Sequence, residues 1–134
     1  MKIERIESFL IGKGYVVRLT TDTGLTGVGQ TACWGYPEAV REVEAAFERY
    51  LIGQDPLRIE HHWQHMYRMS PFRGTVLAGA ISAIDIALWD IKGKHFQAPV
   101  WELLGGKCRD KIRLHLLGGA NDAESMVVAA RKAV

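Results

Sequence analysis

The stretch "AISAIDIALWDIKGK" at residues 80–94 constrains the fold most, because its apolar residues follow a helical spacing on most sides of the helix. Ile81, Ile84, Leu88 and Ile91 line one side at steps of three and four, and alanines form a second, small-residue side. A helix that is apolar around most of its circumference is buried. The rest of the chain must therefore enclose this helix, and another element can approach its alanine side closely.

The first third of the chain predicts a β-meander. Three β-rich runs, at 3–11, 15–21 and 25–31, are separated only by the short turns "GKG" and "DTG". Two short connections in succession imply antiparallel neighbours. Glycines also recur in "GLTGVG" at 24–29, but this segment does not join a strand to a helix as a phosphate-binding motif would. We interpret its glycines as positions of close backbone packing.

Helical segments follow. Pro37 predicts the first residue of an amphipathic helix that ends before Gly53. Asp55 and Pro56 predict the N-cap and the first residue of the next helix. Pro99 predicts a short helix, which two glycines stop.

The last segment of the chain predicts a strand from about Ile112 to Leu117 and a helix capped by Asn121 or Asp122. A strand followed by a helix at this point indicates the beginning of a βα series. The apolar residues of this strand and of the helix at 126–134 would be exposed in the chain by itself. We therefore expect self-association into a homo-oligomer.

Composition and charge argue against several classes of protein. Of the 134 residues, 48% are hydrophobic and 24% are charged, and the net charge of +2 gives no overall attraction to nucleic acid or to an anionic membrane. No apolar run is long enough for a transmembrane helix, and the charged N-terminus does not resemble a signal peptide. Cys33 and Cys108 form no short metal-binding or redox motif, so we expect reduced thiols in the cytoplasm, although a disulfide between them stays open.

Histidines and one buried aspartate are the first candidates for chemistry. "HHWQH" at 61–65 lacks the acidic residue that would complete a zinc motif, so we interpret His61 and His65 as surface residues and His62 as packed and hydrogen-bonded. Asp85 lies within the buried helix, where a carboxylate must be paired, hydrogen-bonded or protonated. We favour a structural bridge from Asp85 to a neighbouring loop or arginine over a catalytic base or a metal ligand.

Two connecting segments carry candidate binding residues. "TACWGYP" at 31–37 joins a predicted strand to a predicted helix and carries Trp34 and Tyr36, which either contact a ligand or pack on the helix below. Arg73 in "SPFRG" either grips an acidic substrate or forms a structural ion pair. The residues alone leave both alternatives open.

Three stretches together make the chain resemble the amino-terminal part of the enolase superfamily: "YLIGQDPLRIEHHWQHMYR", "AISAIDIALWDIKGKHFQAPVWELLGG" and "CRDKIRLHLLGG". The branch that it resembles is the mandelate racemase/muconate lactonizing enzyme type, especially its galactonate-dehydratase-like acid-sugar dehydratases. The resemblance implies an α+β fold, in which a three-stranded antiparallel meander followed by helices forms a capping domain at 1–110. It also implies the first strand and helix of a truncated (β/α) barrel at 111–134.

The resemblance implies a chemistry as well. In the family, a Mg²⁺-dependent barrel removes the proton α to the carboxylate of a sugar acid, and loss of water from the β position gives a 2-keto-3-deoxy acid. The family's metal ligands and bases lie on later barrel strands, so we expect no catalytic or metal-binding residue here and no activity from the chain alone. The cap shapes specificity, and the residues implied in substrate binding are Cys33, Trp34, Gly35 and Tyr36 on the first connecting segment and Phe72 and Arg73 on the second.

Two alternative functions stay open. The parent enzyme could be a racemase or a cycloisomerase of the same superfamily, because the residues that distinguish these reactions lie outside this sequence. The chain could also be a free-standing, non-catalytic module that binds a partner or associates with itself. The expected partners are a sugar acid in the complete enzyme and further copies of the chain, without nucleic acid or membrane.

Overall fold

The computed structural model describes residues 1–12, 14–32, 36–71, 73–113 and 122–132. Within these residues a three-stranded sheet precedes a set of helices, which confirms the predicted α+β fold. The elements in chain order are β1 (Ile3–Ile11), β2 (Gly14–Thr21), β3 (Thr26–Thr31), α1 (Pro37–Leu51), α2 (Ile59–Arg68), α3 (Thr75–Phe96), α4 (Val100–Leu103) and α5 (Ala123–Lys132).

The sheet is the predicted antiparallel meander, with β2 in the middle. Leu19 marks the register, since it pairs with Ile6 of β1 and with Gly27 of β3. Side chains of β2 alternate between the core and the other side of the sheet, and Tyr15 and Val17 are fully buried like Leu19. This alternation is typical of a sheet with one face packed on a core and the other open to solvent.

Helix α3 covers the buried face of the sheet at unusually short range. A Cβ atom built on Gly29 would overlap the carbonyl oxygen of Ala83, and one built on Gly27 would overlap that of Ala87. Both alanines are fully buried. The sequence predicted close backbone packing at the glycines of β3 and a close neighbour on the alanine side of α3. The contact between β3 and α3 accounts for both predictions.

Helices α2 and α3 begin at different residues from those predicted. Helix α2 begins at Ile59, not at Pro56, because the Asp55 carboxylate accepts the Leu57 N–H at 2.9 Å and so closes a separate turn. Helix α3 begins at Thr75, inside the segment predicted as a connector. Its first turn supplies partly buried apolar side chains that pack on the core, namely Val76 and Leu77.

A polar contact ties the sheet to α1. The Tyr15 hydroxyl donates a hydrogen bond to the Glu44 carboxylate, and both residues are buried. Burial raises the pKa of Glu44, because a charged carboxylate is poorly solvated there, and burial likewise raises the pKa of Tyr15. Hydrogen bonding thus satisfies a buried acid that the sequence pattern did not single out.

Side chains of α3 also cover the open edge of β3. Asp90 accepts the Val28 N–H at 2.9 Å, and the Lys94 ammonium donates to the Thr26 carbonyl oxygen at 2.7 Å. Asp90 and Lys94 form an ion pair with each other at 2.8 Å. Outward-facing backbone groups of an edge strand otherwise invite pairing with another chain. The pair therefore blocks this edge while it anchors the helix to the strand.

Replacing both Asp90 and Lys94 by alanine should lower the free energy of unfolding by roughly 1–2 kcal/mol, mostly through the lost bonds to the β3 backbone. The freed edge should also increase self-association. Chemical denaturation and size-exclusion chromatography with light scattering measure the two effects. Alanine at Lys107 and Asp110, an exposed ion pair at 2.7 Å, is the control and should change neither. Equal stability of the two double variants would contradict the edge-anchoring role.

The carboxy-terminal prediction is only partly testable against the structure. Residues 111–113 belong to no helix or strand, and the rest of the predicted strand lies outside the described residues. Helix α5 begins at Ala123, and the Asp122 carboxylate caps it by accepting the Ser125 N–H at 2.7 Å. Asn121, the other predicted cap, lies outside the described residues. Among the helices in the described part of the chain, none is long and apolar enough to cross a membrane.

Candidate functional site

The first predicted binding segment lies between β3 and α1. Cys33, Trp34 and Gly35 are outside the described residues, while Tyr36 occupies the N-cap position of α1. Pro37 follows as the first helical residue, as predicted. The Tyr36 side chain is 69% exposed, so it does not pack on the helix below. A large exposed aromatic ring held at the end of a rigid helix is available for contact with a ligand or another domain.

The second predicted binding segment carries Arg73; Phe72 lies outside the described residues. The Arg73 guanidinium lies over the Tyr67 ring, 4.3 Å from its centroid, and Tyr67 stacks on Trp63. Among the described residues, no carboxylate lies within ion-pair distance of Arg73. The positive charge of Arg73 is thus held in place by an aromatic ring and is not neutralised by a described acid.

Arg73 lines a pocket of about 700 Å³ between α1 and the start of α3. Most of the lining is apolar, with Val43, Phe47, Met69 and Leu77 as its larger side chains. The polar part of the lining consists of Arg73, Glu42, Ser70 and Thr75, so the pocket offers one cation for a carboxylate group beside one acid and two hydroxyl groups. Tyr36 does not line this pocket, so the structure does not bring Tyr36 and Arg73, the two predicted binding residues that it describes, into one pocket.

The histidines have the predicted structural roles. His62 is fully buried, and its Nε2 lies 2.7 Å from the Asp55 carbonyl oxygen. Because a carbonyl only accepts, Nε2 carries the proton and Nδ1 accepts a hydrogen bond from the Tyr50 hydroxyl at 2.9 Å. Burial lowers the pKa of His62, which keeps the ring neutral. His61 and His65 are exposed, as predicted.

Metal coordination has no support in the described residues, which contain no group of three or more histidines, cysteines, aspartates or glutamates that could hold an ion. Cys108 is an exposed free thiol. In the part of the chain that it describes, the structure therefore offers no metal centre.

Asp85 does not make the expected bridge to a described loop or arginine. Its carboxylate has no hydrogen-bond or ion-pair partner among the described residues. Burial, and secondarily the negative charge of Glu60, raises the pKa of Asp85. The bridge from α3 to a neighbouring element is instead made by Asp90 with Lys94. The sequence analysis did not single out this pair, although a spacing of four residues between Asp90 and Lys94 is typical of an ion pair on a helix.

A model of the mandelate racemase / muconate lactonizing enzyme N-terminal domain matches residues 12–105, which contain β2, β3 and helices α1 to α4. The chain belongs to this family. The family assignment agrees with the fold, because structural neighbours of the chain are members of the enolase superfamily.

Relatives of the family cover the whole chain. The D-galactonate dehydratase of Ralstonia pickettii is 43% identical over 137 residues, which is 100% of this chain and 35% of that protein. A protein of Mesorhizobium loti has a TM-score of 0.89 at 37% identity over 99% of this chain and 38% of its own. An enolase of Pantoea ananatis with bound D-gluconate and magnesium has a TM-score of 0.82 at 38% identity, over 98% of this chain and 34% of its own. The chain thus spans about a third of the length of these proteins.

Proposed function

We propose that residues 1–134 are the amino-terminal part of an acid-sugar dehydratase, with a capping domain at 1–110 and the start of a (β/α) barrel at 111–134. The observation that carries this proposal is the 43% identity to a D-galactonate dehydratase over the full length of the chain. In the proposed reaction a base removes the C2 proton of the sugar acid and the C3 hydroxyl leaves as water. The resulting enol then tautomerises to a 2-keto-3-deoxy acid.

The proposed enzyme uses Mg²⁺, as the magnesium and gluconate bound to the Pantoea ananatis enolase suggest. The described residues of this chain do not fit a Mg²⁺ site, because they contain no cluster of three ligands. We therefore assign no metal ligand and no catalytic base to them. An α-proton next to a carboxylate is too weakly acidic to be removed without such groups. The purified chain should release no keto acid from D-galactonate with Mg²⁺ present. Measurable release would contradict the proposal that the metal ligands and the catalytic base lie outside this chain.

The role of this chain in the proposed enzyme is to shape the substrate pocket. Tyr36 is exposed at the end of α1, and Arg73 carries a charge that no described acid neutralises. An arginine suits the carboxylate of a sugar acid, since its guanidinium donates two parallel hydrogen bonds. We propose Cys33, Trp34 and Phe72 as further substrate contacts, because they belong to the same two segments of the sequence.

The specificity role predicts a change in substrate preference in a chimaera that joins residues 1–134 to the remaining part of the Ralstonia pickettii relative. Trp34→Ala and Tyr36→Ala should each change the ratio of kcat/KM for D-galactonate and D-gluconate by roughly tenfold. Melting temperatures should change little, at least for Tyr36, which is 69% exposed. Phe96→Ala is the control, because Phe96 is an exposed aromatic residue at the carboxy-terminal end of α3, outside both predicted binding segments. A large loss of stability with an unchanged ratio would assign Trp34 to the core.

Self-association and location form part of the proposal. Several apolar side chains of the carboxy-terminal part are about half exposed or more, which supports a homo-oligomer or burial against a further domain. These side chains are Ile112, Met126, Val127 and Val128.

We also propose a cytoplasmic enzyme that acts on a small sugar acid, without nucleic acid or membrane as a partner, in line with its net charge of +2.

A cycloisomerase parent is the second candidate function. The 3,6-anhydro-D-galactonate cycloisomerase of Zobellia galactanivorans is 40% identical over 79% of this chain, with a TM-score of 0.72. Both enzyme types use a cap of this fold, so the cap cannot decide between them. Mass spectrometry of the product of the complete enzyme separates the two, because a dehydratase product is lighter than the substrate by one water and a cycloisomerase product is not.

A further inference from the structure

A second pocket lies between α2 and α3, on the outer side of the buried helix. Its volume is about 420 Å³, and its lining combines two indole rings, two carboxylates, one amide and one aliphatic side chain. These are Trp63, Trp89, Glu60, Asp85, Gln64 and Ile59. A concave site with aromatic walls and a few convergent polar groups is the usual form of a small-ligand pocket.

The charge of this pocket is negative and unbalanced within the described residues. Glu60 accepts a hydrogen bond from Gln64 at 2.8 Å, but Asp85 has neither a hydrogen-bond partner nor an ion-pair partner there. Lys92, the first cation that follows Asp85 in α3, lies with its ammonium 4.7 Å from the centroid of the Trp89 ring and forms no ion pair with Asp85. The Asp85 carboxylate is partly buried, so water solvates its charge less well than in the open, and a bound cation would offset that loss.

We propose that the pocket between α2 and α3 binds a guanidinium or primary ammonium group carried on an apolar stem. The carboxylates of Asp85 and Glu60 would neutralise the cation, and the indole faces of Trp63 and Trp89 would hold it by cation–π contact. Ile59 and the same rings would cover the stem. A planar guanidinium fits best, since it both stacks on an indole and donates to carboxylates.

The charge of the pocket sets this site apart from the proposed substrate site. A sugar acid is an anion, and two carboxylates in the lining repel it. Arg73, the cation assigned to the substrate carboxylate, does not line this pocket. The cation site therefore does not depend on the proposed dehydratase function, and either proposal can fail while the other stands.

Nuclear magnetic resonance of the indole N–H groups tests the cation site in the chain as it stands. Ethylguanidinium is the probe, and neutral N-ethylurea of similar shape is its control. The signals of Trp63 and Trp89, assigned with Trp63→Phe and Trp89→Phe, should shift with ethylguanidinium at a Kd of about 1 mM and stay unchanged with N-ethylurea. Equal shifts with both compounds, or no shift of these two signals, would overturn the proposal.

The contribution of the Asp85 carboxylate to binding is tested by a substitution of the same shape. Asp85→Asn keeps the shape of the side chain and should weaken ethylguanidinium binding about tenfold, whereas Glu102→Gln on the exposed surface of α4 should leave it unchanged. An Asp85→Asn protein that folds, as judged by its circular dichroism, and binds the probe as tightly as the unchanged chain would overturn the role of Asp85.

The cation could be a free guanidine compound or the side chain of an arginine in the remaining part of the enzyme. The chimaera with the Ralstonia pickettii relative distinguishes a free guanidine compound from an arginine side chain of the enzyme. If ethylguanidinium still shifts the two indole signals there, the site takes a free compound; if the signals no longer respond but respond again in the chain alone, a side chain of the enzyme occupies it. A pocket that binds the probe in neither protein contradicts the proposal.

Discussion

Gly29→Ala should prevent the chain from folding stably at 25 °C, with a loss of about 3 kcal/mol or more in the free energy of unfolding. The added Cβ would overlap the carbonyl oxygen of Ala83, which belongs to helix backbone and cannot rotate away as a side chain can. Helix α3 would have to move off β3, and the core that both elements share would open. Thermal unfolding followed by circular dichroism measures the effect.

Gly74→Ala is the matched control for this prediction. Gly74 has a φ of 170°, an extended conformation open to any residue, and nothing lies within 4 Å of an added Cβ. The melting temperature of the Gly74→Ala protein should stay close to that of the unchanged chain. A Gly29→Ala protein with the same melting temperature as Gly74→Ala would show that α3 and β3 are not in direct backbone contact.

His62→Ala should lower the free energy of unfolding by about 2–4 kcal/mol. The change removes a fully buried ring, leaves the Tyr50 hydroxyl without this partner, and leaves the Asp55 carbonyl oxygen with only the Arg58 N–H at 3.2 Å. His61→Ala removes an exposed neighbour on the same helix and serves as the control, with an effect near zero. Urea denaturation measures both variants, and equal midpoints would contradict the structural role of His62.

The same histidine makes stability depend on pH. Burial lowers the pKa of His62 in the folded chain below the value of about 6.5 that it has when unfolded. The unfolded state then binds more protons, so the contribution of His62 is complete above about pH 6.5 and is lost as the pH falls through the lowered folded pKa. His62→Gln, which cannot be protonated in this range, should remove that part of the acid destabilisation.

Local sequence signals predicted the strands and most helices well. The bounds of β1 agree with the prediction, because turns and alternation are properties of neighbouring residues. The predicted start of α2 at Pro56 was wrong, since the Asp55 side chain closes a separate turn before the helix begins at Ile59. Both an N-cap and a separate turn use the same acceptor chemistry, so the sequence does not distinguish them.

Contacts between distant elements were not predictable in the same way. The hydrogen bond from Tyr15 to Glu44 and the cover of the β3 edge by Asp90 join residues far apart in sequence. Their formation depends on the packing of α1 and α3 on the sheet, which no single segment encodes. The candidate binding residues were predicted only as two segments, because in the proposed enzyme the substrate contacts would depend on how these segments meet the remaining part of the protein.

Keto-acid formation by the chimaera with the Ralstonia pickettii relative tests the central claim most directly. The remaining part of that relative, expressed without a cap, serves as the control. If residues 1–134 are the cap of an acid-sugar dehydratase, the chimaera should convert D-galactonate or another sugar acid to its 2-keto-3-deoxy product in the presence of Mg²⁺, and the control should not. A folded chimaera that converts none of the sugar acids, while the native relative is active in the same assay, would contradict the claim.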